Sequence, residues 1–162
     1  MIEDDPLSRY DLGEAPAILS EGAILETPDL ARVRDLPARA PIEPETVEAL
    51  SRAMCSSPAG RLRDHQALAL RELYQVGGLI APLKVGAGKT LISLLAPTIL
   101  KAERAVLVVP ASLREKTARD FAAYRRDGWD VRLPQLISYA KLGRPESESE
   151  LLRHQPELIM FD

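Results

Sequence analysis

The fold of this chain is decided by residues 78–90, which read Gly-Leu-Ile-Ala-Pro-Leu-Lys-Val-Gly-Ala-Gly-Lys-Thr. The short apolar run at residues 79–81 predicts a brief buried strand. The glycine-rich turn after it leads directly into the apolar residues 91–95, which predict a helix. Strand, glycine-rich turn and helix, with Lys-Thr at the junction, is the order that a phosphate-binding loop requires.

The residue types in this turn suit a bound nucleoside triphosphate. Gly86 and Gly88 allow positive φ, so the backbone N–H groups of the loop can converge on phosphate oxygens. Lys89 would contact the β- and γ-phosphates, and the Thr90 hydroxyl would ligate Mg²⁺. The strict motif has glycine where this chain has Leu83, so a chance glycine-rich turn is the alternative. The predicted nucleotide contacts in the loop are Val85, Gly86, Ala87, Gly88, Lys89 and Thr90.

Length and composition indicate one ordinary domain with an extension. The chain has 162 residues, of which 46% are hydrophobic and 28% charged, enough for a packed core. The single cysteine, Cys55, excludes an internal disulfide and a cysteine cluster for a metal. No charged-then-apolar leader starts the sequence, and no apolar run approaches the roughly 18 residues of a membrane span. We therefore expect a cytoplasmic protein with no membrane partner.

Charge divides the chain into two parts. Residues 1–50 have a net charge of −8 and residues 51–162 a net charge of +5, within a total of −3. We expect residues 1–42 to form an irregular, acidic, proline-containing extension that is loosely ordered, with a partner-binding or regulatory segment as the alternative. Residues 43–162 are predicted to form the nucleotide-binding domain, and their mild positive charge suits a polyanionic partner.

Helices and strands are predicted to alternate through this domain. Proline, glycine and capping signals predict helices over residues 44–54, 64–76, from residue 91 with a kink or restart near Pro97, 112–124, and from residue 147 to about residue 154. Ser112 with Glu115 and Ser147 with Glu150 are read as capping boxes. Apolar runs predict further strands at residues 105–109, 135–139 and 158–161. The alternation indicates an α/β fold, with a parallel sheet covered by helices on both faces.

Two polar residues outside the loop are candidates for the same site. Gln66 lies one predicted helix upstream, and its amide can donate and accept at once, which matches the N6 and N7 edge of adenine. Asp162 follows the last predicted strand, so its carboxylate would lie at the ligand-binding edge of the sheet and hold Mg²⁺ opposite Thr90. A surface glutamine and a strand-ending aspartate are the alternatives. His65 has no partner at metal-ligand spacing and is read as a packing or surface residue.

With these blocks in this order, the chain resembles the first RecA-like domain of superfamily 2 helicases and translocases of the DEAD/DEAH and Swi/Snf types. The resemblance covers residues 61–162. Residues 62–66 are similar to the adenine-reading glutamine block, residues 83–90 to motif I (the Walker A loop), residues 108–113 to motif Ia, and residues 158–162 to the start of motif II. The family commonly has alanine at the first position of motif I, which makes Leu83 a milder departure.

The resemblance implies a partial RecA-like domain with ATP and Mg²⁺ as cofactors, in which Lys89 and Asp162 are catalytic. It also implies nucleic acid as a partner, with DNA favoured over RNA. Motif Ia would contact the nucleic-acid backbone, and phosphate contacts of this kind do not read bases. A capped helix with a solvated basic face is the alternative. The nucleic-acid residues implied are Pro110, Ser112, Arg114 and Lys116.

In the family, motif II continues with a glutamate that positions the attacking water, and a second RecA-like domain follows. The sequence stops at Asp162, so we expect this chain to bind ATP but to hydrolyse it negligibly without the C-terminal helicase domain or a partner chain carrying it. The alternative function is a non-hydrolysing ATP- or nucleic-acid-binding module that works with a partner chain. A kinase or transporter ATPase is disfavoured by the motif order.

Overall fold

The computed structural model of this chain describes residues 41–144 and 146–162. Three helices come first in this part of the chain, and strands and helical segments then alternate to residue 161. The predicted extension lies outside the described residues except for positions 41 and 42. The elements are α1 (Pro44–Met54), α2 (Asp64–Val76), α3 (Lys89–Leu100), β1 (Ala105–Val109), a 3₁₀ turn (Ala111–Leu113), α4 (Arg114–Arg126), β2 (Gln135–Ser138), α5 (Tyr139–Leu142), α6 (Glu146–His154) and β3 (Leu158–Phe161).

The three strands form one parallel sheet in the order β2-β1-β3. The register places Val108 of β1 opposite Ile137 of β2 and Phe161 of β3. Parallel strands require crossover connections, which α4 supplies between β1 and β2 and the α5–α6 segment supplies between β2 and β3. The predicted α/β class with a parallel sheet is confirmed.

The central strand β1 is buried along its whole length. Side chains alternate between the two faces of a strand, so burial of every residue requires cover on both faces. Val106 and Val108 pack with Ile137 on one face, where Leu142 of α5 and Leu151 of α6 lie against them. Leu107 and Val109, which point to the opposite face, are also fully buried.

A second apolar cluster joins the first three helices. Val47 of α1, Leu70 of α2 and Leu94 and Leu95 of α3 are almost completely buried in it. Burying one such side chain contributes about 1.5–3 kcal/mol, so this cluster holds α2 and α3 together and fixes the loop between them.

None of the helices in residues 41–144 and 146–162 has the length and apolar character that a membrane crossing requires.

The strand predicted at residues 79–81 is wrong. These residues are irregular, and Ile80 is 95% exposed. They line a cavity of about 510 Å³ whose facing wall is β3, the edge strand of the described sheet. A strand forms only where a neighbouring backbone is close enough to hydrogen-bond, and here the cavity separates the apolar run from β3.

Two helix signals also failed. The predicted restart at Pro97 is wrong, because α3 is one continuous helix from Lys89 to Leu100 with Pro97 inside it, while the predicted kink stays a prediction. The pyrrolidine ring is buried in the core, so packing offsets the hydrogen bond that proline cannot donate. The capping box of Ser112 with Glu115 is absent, since the chain makes a 3₁₀ turn there and α4 begins at Arg114 without a side-chain cap.

Smaller differences concern element ends and side-chain directions. The strand predicted at residues 135–139 ends at Ser138, whose hydroxyl accepts a hydrogen bond of 3.1 Å from the Lys141 N–H and so caps α5. At the start of α4, Leu113 is 38% exposed, whereas Phe121 and Tyr124 within this helix pack against the helical cluster.

Candidate functional site

The glycine turn has the backbone conformation that the sequence predicts. Gly86 has φ +81° and Gly88 has φ +80°, a region that other residues rarely adopt. Gly88 is the N-cap of α3, so Lys89 and Thr90 occupy the first two helical positions. The turn therefore ends against the positive end of a 12-residue helix, where an anion is favoured.

The backbone amides at the junction are the main donors of the candidate site. The Ala87 N–H donates to the Lys84 carbonyl at 3.2 Å and closes the turn. Among the described residues, no backbone acceptor is paired with the N–H groups of Gly88, Lys89 or Thr90. The first N–H groups of a helix have no intrahelical acceptor, so these three amides are available to phosphate oxygens.

The Lys89 side chain folds back over the turn. Its Nζ donates a hydrogen bond of 3.1 Å to the Leu83 carbonyl, and the residue is half-buried on the wall of the 510 Å³ cavity. A neutral carbonyl is a weaker partner for an ammonium than a phosphate is, because charge-assisted hydrogen bonds are stronger. The flexible stem of lysine allows Nζ to change partners with little movement of the loop.

Asp162 directly follows β3 and, like Lys89, lines the 510 Å³ cavity. Its N–H donates to the Val108 carbonyl at 3.0 Å, and its own carbonyl accepts a hydrogen bond of 3.0 Å from the Tyr139 hydroxyl. The Tyr139 ring also packs against Phe161, with the ring centres 6.5 Å apart. Contacts with β1 and with the first residue of α5 thus fix the backbone that carries the predicted metal-binding carboxylate.

The donor set fits Mg²⁺ held together with a nucleotide. The described residues contain no cluster of three or more histidine, cysteine, aspartate or glutamate side chains that could hold a metal by itself. Mg²⁺ is usually bound by one or two protein oxygens together with phosphate oxygens and waters. The sequence predicts the Asp162 carboxylate and the Thr90 hydroxyl for this role. Asp162 lines the cavity, whereas Thr90 lies in the first turn of α3 and is not among the described residues that line it.

Gln66 lies against the loop, but its amide already has partners within the protein. It is 5% exposed, and its Oε1 accepts a hydrogen bond of 2.9 Å from the Arg63 N–H at the start of α2. Its Nε2 donates to the carbonyls of Ala87 at 3.3 Å and Gly88 at 3.5 Å. The adenine-reading role stays a prediction, since the structure contains no base. The contact with the loop is a role that the sequence interpretation did not include.

Two further residues of this segment contact the loop and were missed. Arg63 Nη1 donates to the Gly86 carbonyl at 3.1 Å, and His65 Nε2 lies 2.8 Å from the Ala87 carbonyl oxygen. The sequence predicts a packing or surface role for His65, because no partner at metal-ligand spacing accompanies it. No spacing rule connects a histidine to a carbonyl 22 residues away, so the sequence carried no signal for this contact.

The residues predicted to contact nucleic acid lie apart from the cavity, after the carboxyl end of β1. Pro110, Ser112, Arg114 and Lys116 are all exposed there. Lys116 forms an ion pair with Asp120 one helical turn further on. The hydrogen bond to Asp120 raises the pKa of the Lys116 ammonium. Asp120 therefore neutralises part of the positive charge that this surface would offer to a phosphate backbone.

Comparisons with protein-family models, with curated proteins and with solved structures found no match for this chain. The geometry described above is accordingly what bears on its function.

Proposed function

We propose that this chain is the ATP-binding portion of an ATP-dependent DNA helicase or translocase of superfamily 2, built on a partial RecA-like domain. One observation carries the proposal. The glycine turn has positive φ at Gly86 and Gly88 and opens directly into a helix that begins with Lys89 and Thr90. This arrangement presents several backbone donors, one ammonium and one hydroxyl to a single triphosphate.

Each side chain has a distinct part in this proposal. The amides of Gly88, Lys89 and Thr90 would bind phosphate oxygens, and Nζ of Lys89 would leave the Leu83 carbonyl for the β- and γ-phosphates. Bound Mg²⁺ would supply charge neutralisation on the phosphate oxygens. Thr90 and Asp162 would hold it, and the proposal is supported by the fact that Lys89 and Asp162 both line the cavity.

The proposal also includes nucleic acid as a partner. Pro110, Ser112, Arg114 and Lys116 are exposed together where β1 leads into α4. Phosphate contacts from this surface would be independent of sequence and weakened by salt.

Titration calorimetry with ATP and Mg²⁺ tests nucleotide binding. Lys89→Ala removes a hydrogen bond to a charged group, which contributes about 1.5–3 kcal/mol, and should therefore weaken binding about 10- to 100-fold. Lys101→Ala removes the same charge from the other end of α3 and should leave binding unchanged. Equal affinities for the unsubstituted chain and Lys89→Ala would contradict the proposal. If ATP is bound, a hydrolysis assay of this chain combined with a C-terminal helicase domain distinguishes the helicase function, which predicts hydrolysis, from a module that binds ATP without hydrolysing it.

A further inference from the structure

Side chains in the first turn of α2 contact the backbone carbonyl groups of the glycine turn. His65 Nε2 lies 2.8 Å from the Ala87 carbonyl oxygen, and Gln66 Nε2 donates to the same oxygen at 3.3 Å and to that of Gly88 at 3.5 Å. Two adjacent side chains therefore converge on one carbonyl of the loop. The contact of His65 is the shortest of the three and has the ordinary length of a good N–H···O bond.

Arg63 extends the same pattern by one residue, since its Nη1 donates to the Gly86 carbonyl at 3.1 Å. The carbonyls of three successive loop residues, 86 to 88, thus receive side-chain donors from residues 63–66. An oxygen turned toward a bound phosphate would repel it. These contacts keep the Gly86 and Ala87 oxygens on the α2 side of the loop. The Gly88 oxygen also accepts the N–H groups of Leu91 at 3.1 Å and Ile92 at 3.4 Å, so α3 fixes its direction.

The direction of the carbonyls fixes the direction of the amides. In a trans peptide the C=O and N–H bonds point opposite ways, and the described chain has no cis peptide bond. Because the Ala87 carbonyl points toward α2, the Gly88 N–H points away from α2. In the next peptide, the direction of the Gly88 carbonyl fixes the direction of the Lys89 N–H in the same way. The Gly88 and Lys89 N–H groups are two of the three amides at the start of α3 for which the described residues provide no backbone acceptor.

The chemistry of the contact assigns the proton on the imidazole. A carbonyl oxygen only accepts hydrogen bonds, so Nε2 of His65 must carry a hydrogen. We propose that His65 is a positioning residue whose Nε2–H holds the Ala87 peptide, so that the Gly88 amide faces the phosphates of a bound triphosphate. The inference rests on the proposed function, and it gives His65 a part in phosphate binding without contact to the nucleotide.

The test measures the affinity of the full chain for inorganic triphosphate and for ATP, both with Mg²⁺, by titration calorimetry. His65→Ala should weaken both by the same factor, about 2- to 10-fold, the equivalent of one hydrogen bond. His65→Gln keeps an N–H donor at the end of a side chain of similar reach and should recover most of the affinity. His154→Ala, which removes the other histidine, should bind both ligands as the unsubstituted chain does.

The outcomes separate this inference from the proposed function. If Lys89→Ala loses affinity while His65→Ala does not, the positioning role is overturned and the proposed function stands. Equal weakening by His65→Ala and His65→Gln would indicate a packing defect and would also overturn it. No binding by the unsubstituted chain overturns both proposals.

A second measurement needs no ligand. Nitrogen-15 NMR of the imidazole should show the Nε2–H tautomer for neutral His65. The Nδ1–H tautomer would contradict the contact itself.

Discussion

A Cβ atom added at Gly88 would lie 2.3 Å from the Nε2 atom of Gln66, while Gly88 has φ +80°. Gly88→Ala therefore introduces backbone strain of about 1–2 kcal/mol and displaces the Gln66 amide from the loop. Each hydrogen bond lost adds about 1 kcal/mol. We expect a lower free energy of unfolding and severe loss of triphosphate binding, measured by urea denaturation and calorimetry.

Gly86→Ala is the matched control for that substitution. Gly86 has φ +81°, but no atom lies within 4 Å of an added Cβ. Only the strain of about 1–2 kcal/mol applies there, so Gly86→Ala should destabilise the chain less than Gly88→Ala. Equal destabilisation by the two would show that the contact between Gln66 and Gly88 contributes nothing.

Gln66→Ala distinguishes the two roles of this glutamine. Because its amide bonds the Arg63 N–H and two loop carbonyls, we expect affinity for ATP and for inorganic triphosphate to fall by similar factors. The free energy of unfolding should also fall by about 1–3 kcal/mol, the cost of buried groups left without partners. Loss of ATP affinity with triphosphate affinity intact would instead support the adenine-reading role predicted from the sequence.

Asp120→Asn tests the basic surface at the start of α4. The substitution removes the partner of Lys116 and lowers its raised pKa toward the ordinary lysine value. The ammonium remains charged at neutral pH and becomes free to contact a phosphate. Binding to single-stranded DNA should tighten, and the slope of log K against log salt should steepen by up to about one.

Asp127→Asn makes the same charge change at the residue that follows α4 and is the control for Asp120→Asn. We expect it to affect DNA binding less. Identical effects of the two substitutions would indicate general charge attraction rather than a contact by Lys116.

Glu157 connects the loop before β1 with the segment before β3. Its carboxylate accepts hydrogen bonds from the N–H groups of Glu103, at 2.7 Å, and Arg104, at 3.3 Å. These bonds, with a smaller contribution from the charge of Arg104, lower the pKa of Glu157. Since the folded-state pKa lies below the unfolded one, the stabilisation is complete above the ordinary glutamate pKa and is lost as pH falls through the lowered value.

Glu157→Gln should therefore be less stable than the unsubstituted chain near neutral pH, by a small amount because the group is exposed. The difference should disappear under strongly acidic conditions, and thermal unfolding at several pH values measures it. A difference that does not change with pH would contradict the role of the ionised carboxylate.

The elements with strong local signals could be predicted from the sequence. Pro44 at the first position of α1 and Gly77 after α2 mark helix ends that the structure reproduces. The run of residues 105–109 is apolar at every position because both faces of β1 are buried, and it was assigned correctly. The positive φ of Gly86 and Gly88 follows from the loop motif.

Features that depend on distant partners could not be predicted. Residues 79–81 have the composition of a strand, but strand pairing depends on a neighbouring backbone, which the cavity separates from them. Pro97 stays inside α3 because tertiary packing outweighs its local preference. Arg63 and His65 contact backbone carbonyl groups of the loop. Because every residue has a backbone carbonyl, the residue types in the loop do not show which one will accept these contacts.

The central claim is that the glycine turn and the start of α3 bind a triphosphate, and backbone NMR tests it most directly. Adding ATP and Mg²⁺ to the nitrogen-15-labelled chain should shift the amide resonances of Gly88, Lys89 and Thr90 more than any others. Saturable binding of ATP that leaves these three resonances unchanged would contradict the account.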